Sequence, residues 1–166
     1  MLENSLPDSL VSTDVAMNYW QNVAPSVDGM LGGFPSVSRI DLQGSRLFLA
    51  KLCINNKLQI SRALEVGAGI GRVTKVDTPG VGQIFNIGLQ DWRPQPDVKY
   101  DLIWTQWCAC QISDTLLVKY LQRCAASLSA DGVIVLKENL SDCGVYMYDE
   151  VDSSVTRYAY KSRTNH

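Results

Sequence analysis

The chain holds one histidine, and it is the terminal residue, His166. Catalysis by Ser-His-Asp or Cys-His, and any metal site built on histidine, are thereby excluded. The five cysteines, Cys53, Cys108, Cys110, Cys124 and Cys143, make no zinc pattern, because no second pair follows Cys108 and Cys110 at ligand spacing. They are expected to be buried, reduced thiols that act as small apolar residues. Positive charge is not in excess either: 15 Lys and Arg stand against 17 Asp and Glu, for a net charge of −2. That balance provides no broad basic surface for a nucleic-acid backbone. No apolar run is long enough to span a bilayer. Residues 1–14 lack both the basic start and the apolar stretch of a signal peptide. The expectation is a soluble intracellular protein that uses no metal and meets neither nucleic acid nor membrane.

What is present fits one globular domain. The 166 residues are 46% hydrophobic and 19% charged, enough for a single core and too few for two comfortable ones. Thr13 or Asp14 can cap a short helix through Ala16, Tyr19 and Trp20. Residues 24–35 form a loop rich in glycine and proline, whose apolar members Val27, Met30, Leu31 and Phe34 point to something covered beneath it. A helix fits residues 41–52, with Asp41 near its cap and Ile40, Phe48, Leu49 and Leu52 facing the core. Strands are predicted at 62–66, 83–88, 100–107 and 133–136, the last entered by a turn at Asp131-Gly132. A helix capped by Ser113 or Asp114 carries Leu116, Leu117, Tyr120, Leu121 and Cys124 at helical spacing. Strand and helix alternate, which predicts an α/β fold with a parallel, doubly wound sheet. The boundaries read as a helical cap and covering loop over 1–61, an α/β core over 62–157 and a polar tail over 158–166.

The first core strand runs straight into Gly67-Ala68-Gly69-Ile70-Gly71-Arg72. Glycines there allow a tight turn and a close approach to a ligand. The spacing Gly-x-Gly-x-Gly, preceded by the acid Glu65, suits S-adenosylmethionine better than a dinucleotide. Arg72 is then placed to hold the carboxylate of the ligand's amino-acid tail. A set of purely structural turn glycines is the competing reading of so short a motif.

Seven segments in order carry a resemblance: Tyr19-Trp20, Val27-Asp28-Gly29-Met30-Leu31-Gly32-Gly33, the glycine turn through Arg72, Gly88-Leu89-Gln90-Asp91-Trp92, Ile103-Trp104-Thr105-Gln106-Trp107, Lys137-Glu138-Asn139, and Val151-Asp152-Ser153-Ser154-Val155-Thr156-Arg157. Together they resemble the α-N-terminal protein methyltransferases, which methylate the α-amine of proteins beginning X-Pro-Lys. The resemblance implies a Rossmann-like, S-adenosylmethionine-dependent fold with an N-terminal helical cap. It implies that Gly67, Gly69 and Arg72 bind the methionine part of the cofactor, Leu89 and Gln90 lie against adenine, and Gln106 closes the site. It further implies that Trp107 stacks on the substrate's proline, with Leu31 and Trp20 beside it. Asn139 would accept a hydrogen bond from the α-amine, and Asp149, Asp152 and Ser154 would receive the substrate's lysine, with Asp152 also drawing off a proton. The implied partners are protein substrates with exposed X-Pro-Lys starts, met by a monomer in the cytoplasm and also the nucleus. Taken singly, the same residues have plainer readings: Trp104 and Trp107 as core aromatics, residues 149–152 as a solvated loop, and Asn139 as a turn former.

The chain departs from the family in three places. Gln111 stands where members carry a histidine as proton acceptor, and an amide takes no proton at physiological pH. After Arg72 there are too few residues for helix, strand and helix, and no acid lies between Asp77 and Asp91 to hold ribose hydroxyls. The family's last helix and hairpin find no counterpart after Arg157. These gaps leave two expectations: an active but shortened enzyme, or a non-catalytic form that binds N-terminal peptides or partners without methyl transfer.

Overall fold

The computed structural model describes residues 7–74 and 80–158. A 3₁₀ turn at Pro7–Leu10 leads to α1 (Thr13–Asn22), a short α2 (Val27–Met30) and the long α3 (Val37–Asn56). The strands β1 (Ala63–Val66), β2 (Tyr100–Gln106) and β3 (Leu128–Lys137) follow, with α4 (Asp114–Ala126) between the last two. All three strands are parallel, in the order β1-β2-β3. A second small sheet has β6 (Ser154–Tyr158) between β4 (Leu140–Ser141), parallel to it, and β5 (Met147–Asp149), antiparallel.

The apolar run of β2 lies in the middle of the main sheet and serves both faces. Leu102 and Trp104 turn to one side, where they pack with Val135 against Leu49 and Leu52 of α3. Ile103 turns to the other, into a cluster with Tyr120, Cys124 and Trp92 beneath α4. This is the period-two alternation of a strand covered by helices on both sides. Side chains as fully buried as Ile103 (0% exposed) each contribute about 1.5–3 kcal/mol. Thr105 and Tyr120, both closed to solvent, share a hydroxyl hydrogen bond of 2.6 Å. Removing the phenol oxygen strands the Thr105 hydroxyl. Tyr120→Phe should therefore lower folding stability by about 1–3 kcal/mol in urea titration while leaving ligand affinity unchanged.

The α/β alternation matches the sequence reading, and α4 is capped by Ser113, which accepts the Leu116 N–H. Several expectations are corrected. The cap of α1 is Ser12, which accepts from Val15 N–H, rather than Thr13 or Asp14. Ile40 and Phe48, expected in the core, are 71% and 49% exposed. Helix α3 extends beyond 41–52 at both ends, which puts Asp41 in its second turn, buried, and not at the cap. Residues 83–88 form no strand, although Phe85 still packs against the core. Gly82 precedes that segment and Gly88 ends it, β1 pairs only with β2 among the described residues, and a strand exists only through a partner ladder. Residues 131–132 continue β3 through a shift of register opposite Tyr100 and Leu102 instead of turning into it. Of the cysteines, Cys124 is buried but Cys143 is exposed. Asp77 and the residues from 159 to His166 lie outside the described residues.

Candidate functional site

One cleft of about 570 Å³ opens at the C-terminal ends of β1 and β2, within the roughly 300–1,000 Å³ usual for small-molecule sites. In open α/β sheets this is where ligands bind. Its floor is the glycine turn. Its walls are Thr13, Ala16, Met17 and Trp20 from α1, Met30 from the covering loop, and Ile87 to Gln90. Gln106, Trp107, Cys108, Gln111 and Ile112 close the far side.

The turn is shaped by close approach. Gly67 has φ +71°, and a Cβ there would stand 2.5 Å from Cys108 Sγ. The covering loop reaches the turn through Met30, whose sulfur would lie 3.1 Å from a Cβ on Gly69. Trp107 leaves β2 with φ +51°, a conformation that costs about 1–3 kcal/mol for a bulky residue. Neighbours hold it there. Its N–H donates to the Lys137 carbonyl at 3.0 Å, and the next two backbone N–H groups, of Cys108 and Ala109, donate to the Glu138 carboxylate at 2.9 and 2.8 Å. The Arg72 guanidinium sits 5.4 Å from the Trp107 ring centroid and Lys137 Nζ 5.9 Å, both in cation–π range.

Beneath this lies a buried charge cluster centred on Asp41. Its carboxylate accepts from Arg72 Nη2 at 2.8 Å, from Gln106 Nε2 at 2.9 and 3.1 Å, and from Lys137 Nζ. Burial alone would raise its pKa, but the bonds from Lys137, Arg72 and Gln106 together hold it below the ordinary aspartate value. Trp104 Nε1 donates to Gln106 Oε1 at 3.0 Å, so the amide is fixed at both ends. Burial raises the pKa of Glu65, against lowering contributions from Thr74 and Arg72. Burial first, then the Glu138 carboxylate, push the thiols of Cys108 and Cys110 up, Cys110 to about 12; both stay protonated near neutrality. Arg123 of α4 donates to the carbonyls of Leu89 and Gln90 at 3.2 and 3.0 Å, which pins the turn that carries them.

Of the residues singled out in the sequence, Gly67, Gly69, Arg72, Leu89, Gln90, Gln106, Trp20 and Trp107 line the cleft together. Trp104 is instead a core residue, 4% exposed. Leu31 is not part of the lining; Met30 takes its place. Asn139 is exposed beyond the end of β3 and outside the lining, because Glu138 turns back under Cys108. Asp149 and Ser154 face each other across the β5–β6 pair, away from the lining, with Asp149 exposed and accepting the Val151 N–H at 2.8 Å. Asp152 is half-buried and reaches the cleft only through Gln111, whose Nε2 donates to it at 3.2 Å. The turn between β5 and β6 is therefore docked, not a freely solvated loop. Ser153, fully buried, accepts the N–H of Ser12 at 2.7 Å, and Arg157 binds Asp114 and the carbonyls of Ala109 and Ile112.

Sequence reasoning placed Asp41 only near a helix cap and Met30 only in the covering loop, and gave no site role to Lys137, Glu138 or Arg123. A signal existed for the first: Asp41 and Ser45 occupy the same helical stripe as Leu49 and Leu52, where an apolar residue is expected. The cleft suits the ligand that the glycine turn predicts. Arg72 Nη1 is buried with no hydrogen-bond partner, and Glu65 also lines the cleft. A cation with an unused N–H and a nearby carboxylate complement an amino-acid zwitterion.

Comparison with known proteins agrees. The family model described as AdoMet dependent proline di-methyltransferase matches residues 8–77 and 74–164, two stretches that meet just after the glycine turn. N-terminal Xaa-Pro-Lys N-methyltransferase 1-A of Xenopus laevis is 40% identical over 173 residues, covering 86% of this chain and 76% of that protein. N-terminal Xaa-Pro-Lys N-methyltransferase 1 of Homo sapiens and of Danio rerio are 40% and 41% identical over 172 residues, with the same coverage. A solved SAM-dependent methyltransferase from Leishmania major superposes with a TM-score of 0.79 at 34% identity, covering 88% of this chain and 68% of that one. Matched in order along most of its length, the protein belongs to the AdoMet-dependent proline di-methyltransferase family and is an S-adenosylmethionine-dependent methyltransferase.

Proposed function

We propose that the chain transfers methyl groups from S-adenosylmethionine to the α-amine of proteins that begin X-Pro-Lys. The observation that carries this reading is the single cleft that joins the glycine turn to Trp107 and Gln111. Bound there, the cofactor supplies an electrophilic methyl carbon on a sulfonium. Gly67 and Gly69 leave room for its methionine part, Arg72 takes the carboxylate through its unpartnered Nη1, and Leu89 and Gln90 flank the adenine. Trp107 and Trp20 offer aromatic faces to the substrate's proline and to the methylated ammonium.

The amine must reach the methyl carbon with a free lone pair. A protein α-amine has a pKa of about 7.7–8.0, so a useful fraction is neutral near physiological pH and positioning suffices without a strong base. Asp152 acts through Gln111, because its carboxylate does not line the cleft. Asp149 and Ser154, paired across β5 and β6 outside the cleft lining, and Asp152 on the turn between them would meet the substrate's lysine. The protein works on this reading as a monomer in the cytoplasm and nucleus. Its net charge of −2 supports protein substrates rather than nucleic acid.

A second reading, peptide binding without transfer, is favoured by one observation. Residues 80–88 form no strand and carry no acid, so that segment offers ribose hydroxyls no carboxylate. One experiment separates the two. Incubation with methyl-labelled cofactor and a peptide beginning Ser-Pro-Lys should label that peptide and leave its N-acetylated twin unlabelled. Peptide binding without label would favour the second reading, and neither binding nor label would remove both.

A further inference from the structure

The turn at residues 88–93 secures its own backbone except at one peptide. The N–H groups of Asp91 and Trp92 donate to the Gly88 carbonyl at 3.0 and 2.9 Å. The Gln90 carbonyl accepts from two guanidiniums, Arg93 Nη1 at 3.1 Å and Arg123 Nη2 at 3.0 Å. The peptide between Leu89 and Gln90 has no such duplication. Among the described residues its carbonyl accepts only from Arg123 Nη2, at 3.2 Å, and its N–H has no partner. A trans peptide carries its C=O and N–H on opposite sides. With the carbonyl drawn to Arg123 on α4, the Gln90 N–H faces away from that helix, and Gln90 lines the cleft. The Gln90 side chain is bent back over Gly88, where a Cβ would stand 2.5 Å from Nε2, and it donates to Asp91 Oδ2 at 3.2 Å. The position is a costly one for a cation, since burial and the neighbouring charge of Arg93 both work against Arg123.

We propose that Arg123 is a positioning residue for the base of the cofactor: its hold on the Leu89 carbonyl keeps the Gln90 N–H turned into the cleft, as donor to N1 on the edge of adenine away from the ribose. This rests on the placing of adenine against Leu89 and Gln90 and adds the residue, itself outside the cleft lining, that makes the placing selective. A peptide turned over would offer the base a carbonyl instead of an N–H. It would also strand a charged donor of Arg123 without its acceptor, a costly exchange. Adenine N1 is a bare acceptor. Hypoxanthine, the 6-oxo analogue, carries a proton on N1 and would meet the fixed N–H donor to donor. The turn therefore selects adenine as long as Arg123 holds it.

The test is calorimetric, with S-adenosylhomocysteine and its 6-oxo analogue S-inosylhomocysteine as the two ligands. The unaltered protein should bind the adenine form about tenfold tighter or more, the scale of one mismatched buried hydrogen bond. Arg123→Met keeps an apolar stem and removes the donors, so the preference should largely vanish. Arg123→Lys still brings a charged donor towards the carbonyl and should keep most of it. A merely structural arginine would weaken both ligands in the same ratio and leave the preference where it was. A reading that needs no variant comes from NMR. The Gln90 amide proton should move downfield on addition of S-adenosylhomocysteine and stay near its place with the inosine analogue. An undiminished preference in folded Arg123→Met, equal binding of the two ligands by the unaltered protein, or no such movement of the Gln90 signal overturns the inference. Binding of neither ligand removes the adenine placing beneath it as well, which is a different failure.

Discussion

Asp41→Ala is expected to lower folding stability by about 3–5 kcal/mol, the cost of removing one partner from a buried ion pair. The Asp41 side chain is 4% exposed, and that of Arg72, bound to it, is 10% exposed. Without the carboxylate, the buried Arg72 guanidinium and the partly exposed Lys137 ammonium lose the counter-charge they share, and Gln106 loses the acceptor for its amide. The same change should weaken cofactor binding, because Arg72 is no longer aimed. Urea titration, with cofactor affinity measured in parallel, reads both effects. Unchanged stability would mean that the cluster contributes little to the fold.

Asp41 also sets the acid limb of stability. Its pKa is depressed in the fold, so its contribution is complete above the ordinary value of 3.8 and is lost as pH falls through the lower folded value. Glu65 and Glu138 act with opposite sign. Burial raises both, so their ionised forms cost stability, and the cost is relieved as acid protonates them. The protein should therefore hold its stability through mildly acidic pH and lose it steeply only below about pH 4. Asp41→Asn should flatten that last limb.

Gly67→Ala carries the second large effect. At φ +71° a side chain is strained, and the new methyl would meet Cys108 Sγ at 2.5 Å and its Cβ at 2.6 Å. Strain of about 1–3 kcal/mol adds to an overpacking cost of about 1–3 kcal/mol. The turn must shift, and cofactor affinity should fall roughly tenfold or more, equivalent to at least about 1.4 kcal/mol. Cys108→Gly in the same chain removes both clashing atoms and leaves only the strain, so it should recover part of the loss, whereas Cys108→Ala keeps the Cβ and should not. Thermal unfolding and cofactor titration of the four chains separate packing from strain.

The amino-acid sequence alone determined the pieces whose conformation depends on near neighbours. The spacing of Leu116, Leu117, Tyr120, Leu121 and Cys124 made α4, with Ser113 as its cap. The apolar run from residue 100 made the central strand, and the glycines at 67 and 69 made a turn that only residues without a Cβ fit. The ordered motifs were enough to indicate the family. Only the tertiary structure decided which charges are buried together, since Asp41 meets Arg72, Gln106 and Lys137 across 31, 65 and 96 positions of chain. It also decided that Ser153 caps a contact with Ser12, 141 positions away, that Gln111 stands before Asp152, and that Asn139 looks outward. Residues 83–88 have a sequence that could pair, but among the described residues no strand pairs with them. Local pattern sets what a segment can become, whereas burying a charge or completing a ladder requires partners that only the folded chain brings close.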